Sequence, residues 1–116
     1  MKYFISQPMK GKTDEEIKAK RNAIIARCKA LDDEAEIIDS FFERTPHDAS
    51  PLWFLGKSIQ LLSKADVACF AEGWEKARGC KLEHECAKAY GITCFCETKD
   101  GYLLAEMLEE GGSENG

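Results

Sequence analysis

The segment that most constrains this chain is Asp66 to Ala71 (DVACFA), which after its opening acid runs apolar without interruption. A strand that is apolar on both sides is a strand covered on both faces, the situation of a parallel sheet. Parallel strands cannot be joined by tight turns, so the chain must also supply crossover segments, normally helices. It does. Lys2 to Ser6 (KYFIS), Glu36 to Asp39 (EIID) and Ile92 to Cys96 (ITCFC) read as further strands. Thr13 followed by Asp14, Glu15 and Glu16 is an N-cap with dipole-complementing acids, and Ile17, Ile24, Cys28 and Leu31 carry that helix to about Leu31. Ser50 and Pro51 open a second helix to Lys64, with Leu52, Leu55, Ile59 and Leu62 at helical spacing. A third helix runs from about Gly79 to Tyr90, with Gly91 as its stop, and Tyr102 to Glu109 reads as a closing helix.

Alternating strands and helices predict a three-layer α/β fold, flavodoxin-like or Rossmann-like, with an open parallel sheet of four to five strands and helices on both faces. A length of 116 residues leaves room for one core. The expected division is a single domain over residues 1–110 and a polar tail over 111–116. Ligands in such sheets bind beyond the carboxyl ends of the strands, where the strand order reverses. The candidate loops are then Ser6 to Lys12, Ser40 to Ser50 and Glu72 to Arg78.

A net charge of -5 argues against a nucleic-acid polymer as partner. No window holds the roughly 20 apolar residues of a membrane span, and the opening residues lack the pattern of a secretory signal, so a cytoplasmic protein is expected. The six cysteines fall in apolar runs or on apolar helix faces, where a free thiol acts as a small hydrophobe. With no C-x-x-C pair and only His47 and His84, no metal and no cofactor are expected; His47 with Asp48, and a redox role for Cys94 and Cys96, rank low.

Plotted at about 100° per residue, the third helix gathers Cys80, Leu82, Cys86, Ala87, Ala89 and Tyr90 in one arc, with Lys81, His84, Glu85 and Lys88 opposite. Glu83 falls inside the apolar arc. A buried carboxylate without partners is costly, so this position needs a reason. An ion pair with Arg78 or a bond to a backbone amide is the structural one. The functional one rests on position: helix side chains lean toward the N-terminus, so Glu83 projects at the loop ends of the strands. The helix dipole there favours its ionised form, suited to a nucleophile.

At these residues the chain resembles the nucleoside 2-deoxyribosyltransferase-like superfamily, and more closely its branch of short bacterial and phage proteins, over roughly residues 2 to 96. The carriers are Tyr3, Phe4, Ile5, Ser6, Gln7, Pro8 and Met9 with Gly11; the strand starting at Asp66; and Gly73, Trp74, Arg78, Gly79, Cys80, Glu83 and Ala87. The spacing of Gly79, Glu83 and Ala87 matches the frame around the transferase nucleophile. The resemblance implies that Glu83 attacks the anomeric carbon of a deoxyribonucleoside or nucleotide, releasing the base, with water or a second base taking the sugar. It implies an assisting acid at Asp66, a sugar side lined by Ser6, Gln7, Pro8 and Met9, and a base stacked on Trp74 or Phe41. It also implies a homodimer or higher oligomer, with Phe41, Phe42 and Trp53 as contact surface. Two positions depart from the pattern: Ala77 stands where the transferases carry Asp, and Gln7 where the short branch has Gly. The alternative is a nucleotide-binding or sensing module of the same fold without turnover.

Overall fold

The computed structural model describes residues 1–39 and 47–106. Phe41, Phe42, Thr45, Pro46 and the tail 111–116 lie outside the described residues. In chain order the elements are β1 (Lys2–Ser6), α1 (Asp14–Leu31), β2 (Glu36–Ile37), α2 (Pro51–Leu62), β3 (Val67–Phe70), a 3-10 turn (Trp74–Lys76), α3 (Arg78–Ala89), β4 (Thr93–Glu97) and β5 (Leu103–Ala105). They form one five-stranded sheet in the order β2-β1-β3-β4-β5, parallel except for β5.

The local signals act as elementary chemistry requires. Thr13 caps α1 through a reciprocal capping box with Glu16, a device that contributes about 1 kcal/mol. Ser50 caps α2 at the amide of Trp53, with Pro51 in its first turn. Alternate side chains of the sheet then meet different helices. Tyr3, Ile5, Val67, Cys69 and Ala71 pack with Ile24 and Cys28 of α1 on one face. Phe4, Ala68, Phe70 and Cys94 pack with Leu62 of α2 and Ala87 of α3 on the other. The three-layer expectation holds, and among the described residues no helix is long and apolar enough to cross a membrane.

The closing helix does not form over the described part of Tyr102 to Glu109. Leu103–Ala105 pairs antiparallel with β4 instead, with Phe95 opposite Ala105 and Glu97 opposite Leu103. A one-sided parallel sheet leaves β4 with unpaired amides and carbonyls, and a tight turn ending in Gly101 (φ +87°) folds the chain back onto them. The Asp100-Gly101 pair carried that turn signal.

The face of α3 also differs from the helical plot. Cys80, Glu83 and Ala87 are buried, whereas Leu82 and Tyr90 are exposed, and His84 turns inward against Phe70. The sheet meets the helix along the 80-83-84-87 line, a rotation that an apolar average over twelve residues does not resolve. On α1, Arg21 joins the buried line of Ile17, Ile24 and Cys28 and donates to the Ile38 carbonyl at 3.2 Å, while Leu31 is exposed.

Candidate active site

β1 is joined through α1 to β2 on one side of the sheet, and α2 leads across to β3 on the other. The strand order therefore reverses between β1 and β3, and their carboxyl ends open a crevice. A cleft of about 870 Å³ occupies it. Its walls come from the end of β1 and the loop after it, from the first half of α2, and from the 73–83 stretch that leads into α3.

Glu83 sits at the floor of this cleft, 7% exposed. Ser6, the last residue of β1, donates to Glu83 Oε1 at 2.6 Å. Ser58 of α2 lines the cleft beside the same carboxyl, and its hydroxyl works with that of Ser6 to lower the carboxyl's pKa. The Ser6 hydroxyl thus fixes the group, and among the described residues no ion pair joins it to Arg78, so the ion-pair explanation of its burial is not the one the structure uses. The contrast with Glu97 is informative. Glu97 is equally buried at the end of β4, yet it receives Lys20 Nζ at 3.0 and 3.1 Å and the Glu72 amide at 2.9 Å. That carboxylate is neutralised in place; among the described residues, no cation pairs with Glu83.

Burial pushes the Glu83 pKa up, and the hydrogen bonds from Ser6 and Ser58 only partly oppose it. The helix dipole was expected to favour the ionised form; removal of water by the cleft walls outweighs it. The linkage sign follows. With the folded value above the ordinary 4.5, this carboxyl's contribution to stability is present below that value and is lost as pH rises through the folded pKa. Against a Glu83→Gln variant, which does not titrate there, urea unfolding across a pH series should show the variant's advantage widening as pH rises from about 4.5. An advantage that is constant with pH would contradict the shift.

Cys80 lines the cleft beside Glu83, and burial raises its thiol pKa to about 11, which keeps it protonated at neutral pH and unsuited to nucleophilic attack. Among the described residues, the remaining charge in the cleft lining is basic: Lys10, Lys76 and Arg78. Arg78 and Gly79 begin α3, whose N-cap, Ala77, supplies no side-chain acceptor. The first amides of the helix are left for a ligand or solvent, and an added Cβ at Gly79 would meet nothing within 4 Å.

The other site expectations divide. Gln7, Pro8, Met9 and Gly73 line the cleft, with Gly73 at φ +88° against Pro8. The Gln7 amide is committed, donating from Nε2 to the Ile17 carbonyl at 3.1 Å. Gly11 lies in the turn beyond, at φ +80°, and is not part of the lining. Trp74 turns away: its ring stacks on His84 at 4.1 Å and packs on Phe70 at 5.6 Å, capping the core rather than facing a ligand. Asp66 stands at the opposite end of the sheet, accepting the Lys2 amide at 2.8 Å just before β3, so it cannot assist chemistry at Glu83. Phe41 lies outside the described residues.

Sequence reasoning missed the α2 wall of Pro51, Phe54, Leu55 and Ser58. The signal for Ser58 was available: it is a polar residue three positions after Leu55, on the same stripe, the pattern that singled out Glu83.

One family model, described as a domain of unknown function (DUF4406), matches residues 1–95. No curated protein and no solved structure matches the chain.

Proposed function

The chain belongs to the DUF4406 family, whose matched span contains every described residue lining the cleft, and we propose that this cleft performs N-glycosidic bond chemistry on a deoxyribonucleoside or its 5′-phosphate. The observation that carries the reading is Glu83, buried at the switch point of the sheet, held by the Ser6 hydroxyl with Ser58 beside it, and open to a cleft with a basic rim. In the proposed reaction the Glu83 carboxylate attacks the anomeric carbon as the bond to the base breaks. The base leaves with the electron pair and takes a proton from solvent. Water, or a second base, then displaces Glu83 from the glycosyl-enzyme and restores the carboxylate. Desolvation makes that carboxylate a stronger nucleophile once ionised, and the hydrogen bond from Ser6 orients it. Lys10, Lys76, Arg78 and the uncapped α3 amides favour a substrate carrying a phosphate.

The test is base release from deoxyribonucleosides and their 5′-monophosphates, with and without an acceptor base. Release that depends on acceptor indicates a transferase, release without one a hydrolase. Ala77 favours a second reading, a module that binds the nucleotide without turnover, since a side-chain contact of the transferases is missing there. Saturable binding with no base release would select it. Silence in both assays would remove both.

Cytoplasmic residence belongs to the same proposal, because buried thiols used as core hydrophobes suit a reducing compartment. So does self-association: Leu52 and Phe54 are exposed on α2 at the edge of the cleft, where a second copy would cover them. Light scattering at micromolar concentration should read a dimer or larger; a monomer would remove that part.

A further inference from the structure

One residue along α3 from Glu83, on the side toward β4 and β5, three donor groups from three parts of the chain converge. His84 Nε2 lies 2.5 Å from Glu106 Oε1, and the Cys96 thiol donates to the same oxygen at 2.9 Å. The three ligand atoms all lie within 4.8 Å of one another, and all three residues are half-buried. The imidazole is held in place before any ligand arrives, stacked on Trp74 at 4.1 Å and met edge-on by Phe70 at 5.0 Å.

We propose that His84, Cys96 and Glu106 form a binding site for a divalent transition metal of the zinc class, with solvent completing the coordination. One nitrogen, one sulfur and one carboxylate oxygen are a borderline-soft donor set, which suits zinc and disfavours magnesium or calcium. Bond lengths of about 2.0–2.3 Å to a tetrahedral ion separate neighbouring donors by about 3.3–3.6 Å, so the two contacts to Glu106 Oε1 need open by only about 1 Å or less, while the His84 and Cys96 donors already lie within 4.8 Å of each other. Glu106 follows the short edge strand β5, and rotation of its side chain supplies that movement while its amide stays bonded to the Cys94 carbonyl at 2.8 Å. On binding, the Cys96 S–H bond breaks, its proton passes to solvent and the thiolate bonds the metal; the proton shared between His84 Nε2 and Glu106 Oε1 leaves the nitrogen for Nδ1 or solvent, and the freed Nε2 and the carboxylate then bind the metal. Lys88 Nζ, 3.4 Å from Glu106 Oε2, becomes an outer partner of the bound carboxylate. The site ties α3 to the β4–β5 edge. Cys96 and Glu106 lie beyond residue 95, where the family match ends, so the site is independent of the function proposed for the cleft.

The experiment is Co²⁺ titration of the full chain after chelator treatment, followed by displacement with Zn²⁺ in competition with a chromogenic chelator. Binding should saturate at one equivalent, with a thiolate-to-cobalt charge-transfer band in the near ultraviolet. Cys96→Ser should abolish that band. Cys94→Ser should keep it, because the Cys94 thiol is engaged with the Ile92 carbonyl and stands outside the cluster. His84→Ala and Glu106→Gln should each weaken Zn²⁺ binding by about 100-fold or more, beyond what loss of an outer partner does. Glu106→Gln preserves shape and keeps the test valid if His84→Ala disturbs folding. No saturable binding, or a band that survives Cys96→Ser, would overturn the proposal.

Discussion

Replacing Glu83 with alanine should lower base release by at least about a thousandfold, the scale seen when a covalent nucleophile is removed. The expectation follows from geometry: among the described residues, the carboxyl at the floor of the cleft has no acidic neighbour in the lining that could take its place. Glu83→Gln should be as inactive while keeping the shape and the hydrogen bond from Ser6, which separates chemistry from folding. Ser58→Ala should lose less, because Ser6 still orients the group. Asp66→Asn should leave the rate unchanged, because Asp66 sits at the amino end of β3, bonded to the Lys2 amide. Steady-state release by each variant, with folding checked by circular dichroism, decides the matter. Full activity in Glu83→Gln would end the nucleophile assignment.

The largest effect on stability is expected from Phe70→Ala. Phe70 is fully buried in the central strand, on the face shared with α2 and α3, and also supports the rings of Trp74 and His84. Truncation leaves a cavity that neighbours from three elements cannot fill, at a loss of about 3–5 kcal/mol. Against the roughly 5–15 kcal/mol that hold a domain of this size, that lowers the melting temperature by about 10–20 °C. Tyr90→Ala, at a position 84% exposed, should stay within about 0.5 kcal/mol. Urea unfolding of both variants tests the contrast, and a Phe70→Ala loss below 1 kcal/mol would show that the core had closed over the gap.

Where a local rule and the tertiary requirement agreed, the chain was readable. Thr13 with Glu16 started α1 at Asp14 because a capping box acts within one turn. The continuous apolar run around Val67 to Phe70 could be satisfied only between two covered neighbours, and β3 lies between β1 and β4. Glu83 stood out because a charge on a buried line carries its own cost. Ser58 obeyed the same logic on α2 but passed unnoticed, since a small hydroxyl on an apolar stripe raises no comparable alarm.

The segment after Asp100 shows the reverse. Leu103, Leu104 and Ala105 have good helix propensity, and that local preference yields to the open edge of β4, whose backbone groups need partners. Trp74 and Asp66 failed as site residues for a related reason: which way a loop ring turns, and which end of a strand a residue occupies relative to a ligand, depend on neighbours far along the chain.

By itself, then, the sequence determined the succession of strands and helices, the parallel character of the central sheet and the singular position of Glu83, since each follows from periodicity, capping or the cost of burying charge. Only the tertiary structure decided the rotation of α3, the fate of the last strand, the placing of Ser6 and Ser58 beside Glu83, and the meeting of His84, Cys96 and Glu106. Those are contacts between residues 10 to 77 positions apart, or follow from them, and no local rule reaches across such separations.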